Sequence, residues 1–199
     1  MSKLAFIKVF TDAQRDLQGN TSAVVLLDQQ LSEKELQALA SDFNQPATTF
    51  LWPTAEGAYA IRWFAPDAEI GLCGHGSAAA LAFLYRFKKK REASLTFDGG
   101  VIRGQASATG FSFFIDPIEV ISHTANVPRG LEEALGLKVL EYFHTNNKDI
   151  VLVESETALQ NMKPDFSALA KLKPFGYAVT APGDAVDFVS RTLVPKVQQ

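Results

Sequence analysis

The chain has 199 residues, is 47% hydrophobic, carries a formal net charge of -3 and holds one cysteine and three histidines. One cysteine excludes an internal disulfide framework and a multi-cysteine zinc site, and the mildly acidic balance offers no electrostatic footprint for nucleic acid. No run of about 18 apolar residues is present to span a membrane; the N-terminus lacks a signal-peptide pattern, and the expected setting is cytoplasmic.

Leu4 to Phe10 is an apolar run bounded by polar residues and predicts a strand. Thr11 to Asn20 reads as a polar loop closing on the turn pair Gly19-Asn20. Ala23 to Leu27 is Val-rich and predicts a strand buried on both faces. Leu31 to Asn44 is the clearest helix: Ser32 and Glu35 form a capping box, and Leu31 and Leu36 are spaced for a hydrophobic staple. Leu36, Leu39, Ala40 and Phe43 then repeat at the spacing of one buried helix face, and Pro46 ends the element. Thr48 to Trp52 and Tyr59 to Phe64 read as strands.

The next helix, from about His75 to Phe87, differs. Its Ala78-Ala-Ala-Leu-Ala-Phe-Leu84 run has no polar face, so the helix is buried on all sides, and its small residues predict strands approaching it closely. The expected picture is a helix wrapped by a curved sheet. The basic run Lys88-Lys89-Lys90-Arg91 suits the end of this helix, where cations favour the dipole. Ser94 to Phe97, Val101 to Ala106 and Phe111 to Ile115 follow as a meander turning at Gly99-Gly100 and Thr109-Gly110. Asp116-Pro117 breaks the pattern and marks a domain boundary, giving domains 1–116 and 117–199. The second part predicts a short helix at Leu131 to Leu135 stopped by Gly136. Strands are expected at Val139 to His144, Ile150 to Glu154, Gly176 to Thr180 and Phe188 to Leu193, helical turns near Thr157 to Met162 and Phe166 to Leu172, and a frayed end over 193–199. It has no long apolar helix to wrap.

The chemistry concentrates between Gly71 and Ser77. Gly71, Gly74 and Gly76 allow tight turns and close approach of the backbone to a ligand. The helix that starts there leaves unpaired N–H groups carrying partial positive charge, which favours a carboxylate or phosphate. Cys73 lies in that field, which stabilises a thiolate; amid apolar residues it reads first as a small buried hydrophobe and second as a site residue. His75 can move a proton near neutral pH, donate a hydrogen bond, or cap the helix. The glycine spacing is not a dinucleotide fingerprint, and no βαβ context is expected around it. His123 and His144 show no metal-ligand spacing and read as structural. Glu69 reads as a solvated or capping residue beside the turn.

Arg62-Trp63-Phe64-Ala65-Pro66, Glu69 and Leu72-Cys73-Gly74-His75-Gly76-Ser77 together resemble the signature of the phenazine-biosynthesis PhzF-like family. Gly19-Asn20-Thr21-Ser22-Ala23-Val24-Val25, Phe43-Asn44 and Asp187-Phe188-Val189-Ser190-Arg191 fit the same family in register. The resemblance implies an α+β, diaminopimelate-epimerase-like fold: two similar domains, each a curved, mostly antiparallel sheet around a central helix, with a site in the cleft between them. It implies a cofactor-independent isomerase or epimerase, commonly dimeric, that moves a proton on a small carboxylate-bearing metabolite. Carried over by motif, Cys73 and His75 are the catalytic candidates, and Asn20, Gly74, His75, Gly76 and Ser77 the substrate-binding ones; no metal is implied.

Two departures stand out. The family's catalytic glutamate, in an Asn-x-x-Glu-Thr pattern, falls on Ala47 in Asn44-Gln45-Pro46-Ala47-Thr48, and alanine cannot take a proton. The family also continues past the Ser-Arg strand into a Glu-Asp-Pro segment and a second central helix, whereas this sequence ends at Gln199. The expectation is therefore a truncated second domain without its central helix and one half of a two-sided site. That leaves three readings: a PhzF-like isomerase, a non-catalytic binding homologue, and a fragment of an active enzyme.

Overall fold

A computed structural model describes residues 3–13, 17–55, 58–115, 117–124 and 126–195. The chain divides into two units, Met1–Asp116 and Pro117–Gln199. The first is organised by helix α2 (Gly74–Lys88), in which Gly76 to Leu81, Phe83 and Leu84 are buried. A helix without a polar face needs apolar partners all round, and the sheet supplies them. Its strands are β1 (Lys3–Asp12), β2 (Leu17–Leu26), β3 (Ala47–Ala55), β4 (Ala58–Phe64), β5 (Glu69–Ile70), β6 (Glu92–Phe97), β7 (Gly100–Ala106) and β8 (Phe111–Phe114). They are ordered β1-β2-β3-β4-β6-β7-β8, with β5 paired to β4. Helix α2 touches β1, β2, β3, β6, β7 and β8. The sheet curls enough to bring its two edge strands together, the rings of Phe10 and Phe111 meeting edge to face at 5.8 Å.

Helix α1 (Glu33–Phe43) covers the other face of the sheet. Ser32 and Glu35 form the complete capping box, and Asn44 closes the helix in the left-handed conformation at φ 48°. Leu36 and Ala40 pack with Val25, Leu27, Phe50 and Phe64, while Val24, Leu26, Leu51 and Ile61 face α2. Strand β2 is thus buried on both sides, as its Val-rich run predicts.

Two expectations need correction. Thr11 to Asn20, read as a loop, is largely strand: β1 and β2 form one antiparallel ladder through Val9–Asn20 and Thr11–Gln18. Residues 14–16 of that stretch lie outside the described residues. Phe10 and Gly19 carry positive φ of 60° and 72°, a paired kink that bends the ladder without ending it. A Cβ on Gly19 would lie 2.5 Å from the Val9 carbonyl oxygen, so this glycine serves close strand approach rather than a turn. The absence of βαβ context is also overturned. Strands β2 and β3 pair in parallel across α1, and β4 and β6 pair in parallel across α2. Sequence alternation fixes which face a residue occupies but not which strand lies beside it, so the crossovers were not visible in advance. The remaining pairings of this sheet are antiparallel.

The second unit holds a sheet ordered β13-β12-β11-β10-β9. Its elements are β9 (Val120–Thr124), α3 (Leu131–Leu135), β10 (Glu141–Thr145), β11 (Asp149–Leu152), α4 (Glu156–Asn161), α5 (Phe166–Leu169), β12 (Tyr177–Pro182) and β13 (Phe188–Leu193). Among the described strands of this second sheet, only β11 and β12 pair in parallel. Leu131, Leu135, Val151, Leu169, Tyr177 and Val179 form its core. Strand β9 was not expected; its residues are exposed or half-buried, and among the described strands it has one neighbour. Strand β10 begins at Glu141 rather than Val139, whose N–H donates to the Glu132 carboxylate at 2.8 Å. The end expected to be frayed over 193–199 starts as strand, since Leu193 closes β13; residues 116 and 196–199 lie outside the described residues. No helix of the described residues is long and apolar enough to cross a membrane.

Candidate active site

Strand β4 delivers the chain to a turn closed by the Ala65 N–H on the Ala68 carbonyl at 2.8 Å. Arg62 on β4 grips Glu69 on β5 through two bonds, Nε–Oε1 at 2.6 Å and Nη2–Oε2 at 2.5 Å, and reaches Glu33 at 3.2 Å. Glu69, expected to be solvated or to cap, instead ties down the loop that leads into Gly71. The Glu69 hydrogen bonds, above all, hold the guanidinium well above its ordinary pKa.

Cys73 is the N-cap of α2 in an extended conformation, φ -127° and ψ 103°, and its Sγ accepts the Gly76 N–H at 3.4 Å. Ser77 donates its N–H and its hydroxyl to the Cys73 carbonyl, at 2.9 and 2.7 Å. The helix start is seated tightly: a Cβ on Gly76 would lie 2.5 Å from Trp63 Cδ1 and 2.7 Å from Thr49 Oγ1. Gly71 and Gly74 face open space. As the first two helical positions, Gly74 and His75 present N–H groups that no carbonyl of the helix reaches. At the positive end of a 15-residue helix they favour an anion.

Cys73 Sγ and His75 Nδ1 lie 3.3 Å apart. Cys73 is 5% exposed. His75 Nε2 is fully buried and has no hydrogen-bond partner among the described residues. Burial pulls the His75 pKa below its ordinary value, so the ring is neutral at pH 7. A neutral imidazole that accepts the thiol proton at Nδ1 carries its own proton on Nε2. One that donates from Nδ1 to a thiolate leaves a lone pair on Nε2. In both forms Nε2 is left without a partner among the described residues. The indole Nε1 of Trp63, beside Gly76, is likewise buried and unpartnered.

Ala47 starts β3, paired with Ser22, and is fully buried in the same apolar cluster as Cys73 and Trp63. Its methyl group supplies no acid or base. Asn20 is half-buried on β2 and shares the Ser22–Val24–Leu26 face by strand alternation. Sequence reasoning gave no site role to Trp63 and to Thr49, which flank Gly76 at the helix start, or to Ser22. The last two share a buried hydrogen bond of 2.8 Å. Thr49 alternates with the buried Ala47 and Leu51, a signal that was present in the strand itself. Ser77 has its hydroxyl engaged with Cys73, while Gly74, His75 and Gly76 surround the helix entrance. His144 and His123 lie in the second unit. The described residues contain no group of three or more His, Cys, Asp or Glu side chains able to hold a metal.

A curled, mostly antiparallel sheet around a buried helix is the α+β, diaminopimelate-epimerase-like fold that the sequence resemblance implied. The family model of the phenazine biosynthesis-like proteins matches residues 7–198, and the chain belongs to this PhzC-PhzF family. An uncharacterized isomerase of Pseudomonas aeruginosa is 35% identical over 196 residues, covering 97% of this chain and 74% of the relative. The crystal structure of a PhzF-family protein from Enterococcus faecalis superposes with a TM-score of 0.80 at 30% identity, covering 99% of this chain and 74% of that one. A PhzC/PhzF protein from Clostridium difficile gives a TM-score of 0.78 at 26% identity, covering 100% of this chain and 74% of that one.

Proposed function

We infer that this chain acts as a proton-transferring isomerase on a small carboxylate-bearing metabolite, with Cys73 as the acid/base group and His75 as its partner. The Cys73 Sγ–His75 Nδ1 contact of 3.3 Å at the open end of α2 carries this reading. The first N–H groups of the helix receive the substrate carboxylate. The thiolate, stabilised by the Gly76 N–H and the helix field, removes a proton from the adjacent carbon. Charge that develops on the carboxylate is met by the same N–H groups, which are already oriented. His75 Nε2 and Trp63 Nε1 are the buried polar atoms placed to accept or donate to the substrate. The isomerase relatives support the reaction class and leave the substrate to experiment.

A second reading is favoured by Ala47, a fully buried methyl where the resemblance implies a glutamate. In it, the chain binds the metabolite without turnover. Incubating the protein in D2O with a panel of small carboxylic acids separates the two. Deuterium incorporated by the unmodified chain and lost in Cys73→Ser supports proton transfer by the thiol. Acids that perturb the Gly74 and His75 amide resonances without exchanging deuterium support the binding reading and overturn the first.

A further inference from the structure

The second unit holds a polar cluster that the α2 site does not use. Asp149, at the start of β11, is 1% exposed, yet its carboxylate is surrounded by donors. Tyr142 donates its hydroxyl to Oδ2. Oδ1 accepts the Thr145 N–H at 3.0 Å and lies 2.9 Å from His144 Nδ1. With the Tyr142 hydroxyl and the Thr145 N–H both donating to it, the Asp149 carboxyl is the acceptor in the His144 contact as well, which fixes the histidine as the Nδ1–H tautomer. Nε2 is then the acceptor of the ring, made a stronger one by the hydrogen bond that Nδ1–H donates to Asp149. Tyr177 adds to the picture. Its hydroxyl is buried without a hydrogen-bond partner among the described residues, and burial together with the Asp149 charge pushes its pKa up to about 12.

His144 is half exposed and lines a pocket of about 510 Å³. One wall of this pocket is apolar: Pro128, Leu172, Pro174 and Phe175. Phe175 is 52% exposed, and the Lys148 ammonium, bonded to Asn147 Oδ1 at 3.0 Å, sits 5.6 Å from its ring centroid. The polar side is His144, Asn147 and Lys173. This combination selects among ligands. A flat ring fits the apolar wall. The imidazole acceptor calls for a hydrogen-bond donor, and Lys148 and Lys173 disfavour a cationic one. A weakly acidic hydroxyl on an aromatic ring meets all three conditions.

We propose that the pocket beside the Asp149–His144 pair is a binding site for a small phenol, its ring against Phe175 and Pro174 and its hydroxyl donated to His144 Nε2. The test is an NMR titration of the full chain with p-cresol, with toluene and benzoate as matched probes. Saturable shifts of the His144 ring protons and the Phe175 signals are expected, with toluene bound about tenfold more weakly for want of one hydrogen bond. His144→Phe should bring p-cresol down to the toluene level. Phe175→Ala, which alters a half-exposed side chain and spares the core, should weaken both. Equal binding of p-cresol and toluene overturns the proposal. So does tighter binding of benzoate, which assigns recognition to Lys173, or p-cresol binding that neither substitution changes.

Discussion

His75 is folded into surroundings that disfavour its charged form. Burial lowers its pKa below its ordinary value, so the unfolded chain takes up a proton here before the native protein does. The linkage then has a fixed sign: stability is intact above the unfolded value and falls as pH drops below roughly 6.5. Urea unfolding at pH 7.5 and pH 5 checks this. The wild type should lose more stability between the two than His75→Gln, which has no imidazole to charge. At this scale the sequence was informative where chemistry is contiguous: Cys73, His75 and the glycines lie within one short stretch. Thr49 and Trp63 reach the same point through strand register, which a linear reading does not supply.

Helix α1 is the element that depends most on local signals. Ser32 accepts the Glu35 N–H, and the Glu35 carboxylate accepts both the Ser32 N–H and its hydroxyl, at 2.9 and 2.6 Å. Those Ser32 bonds hold the Glu35 carboxyl below its ordinary pKa. Replacing Ser32 by Ala should cost about 1 kcal/mol in denaturant unfolding, the usual consequence of losing an N-cap. Caps, staples and the Gly136 stop are interactions between residues a few positions apart, so α1 and α3 were readable with nearly their observed limits. The β1–β2 ladder and the two parallel crossovers join residues whose partners are chosen by the whole sheet. Strand β9 had no buried alternation to announce it, and β5 is too short for a pattern. For the same reason α2 was legible as a buried helix, while the strands around it could be listed only as pieces.

At the scale of the molecule, each unit has its own apolar core, and the first is centred on α2. Leu81 is 2% exposed and lies so close to β7 that a Cβ on Gly104 would be 2.4 Å from Leu81 Cδ1. Leu81→Ala should lower the stability of the first unit by about 2–5 kcal/mol. Both tryptophans, Trp52 and Trp63, belong to Met1–Asp116, so tryptophan fluorescence during denaturation reads that unit directly.

The burial of α2 also has a consequence for how the chain is made. Half of its wrapping, β1 to β3, precedes it in the sequence, and the other half, β6 to β8, ends at Phe114. During synthesis the Ala78–Leu84 run therefore leaves the ribosome before its remaining cover has followed it out. About 30 more residues must be added, which takes roughly 2 to 6 seconds at ~5–20 residues per second. Throughout that interval the nascent chain displays a sticky, uncharged run of seven residues, and a chaperone that grips such segments has a defined window in which to hold it.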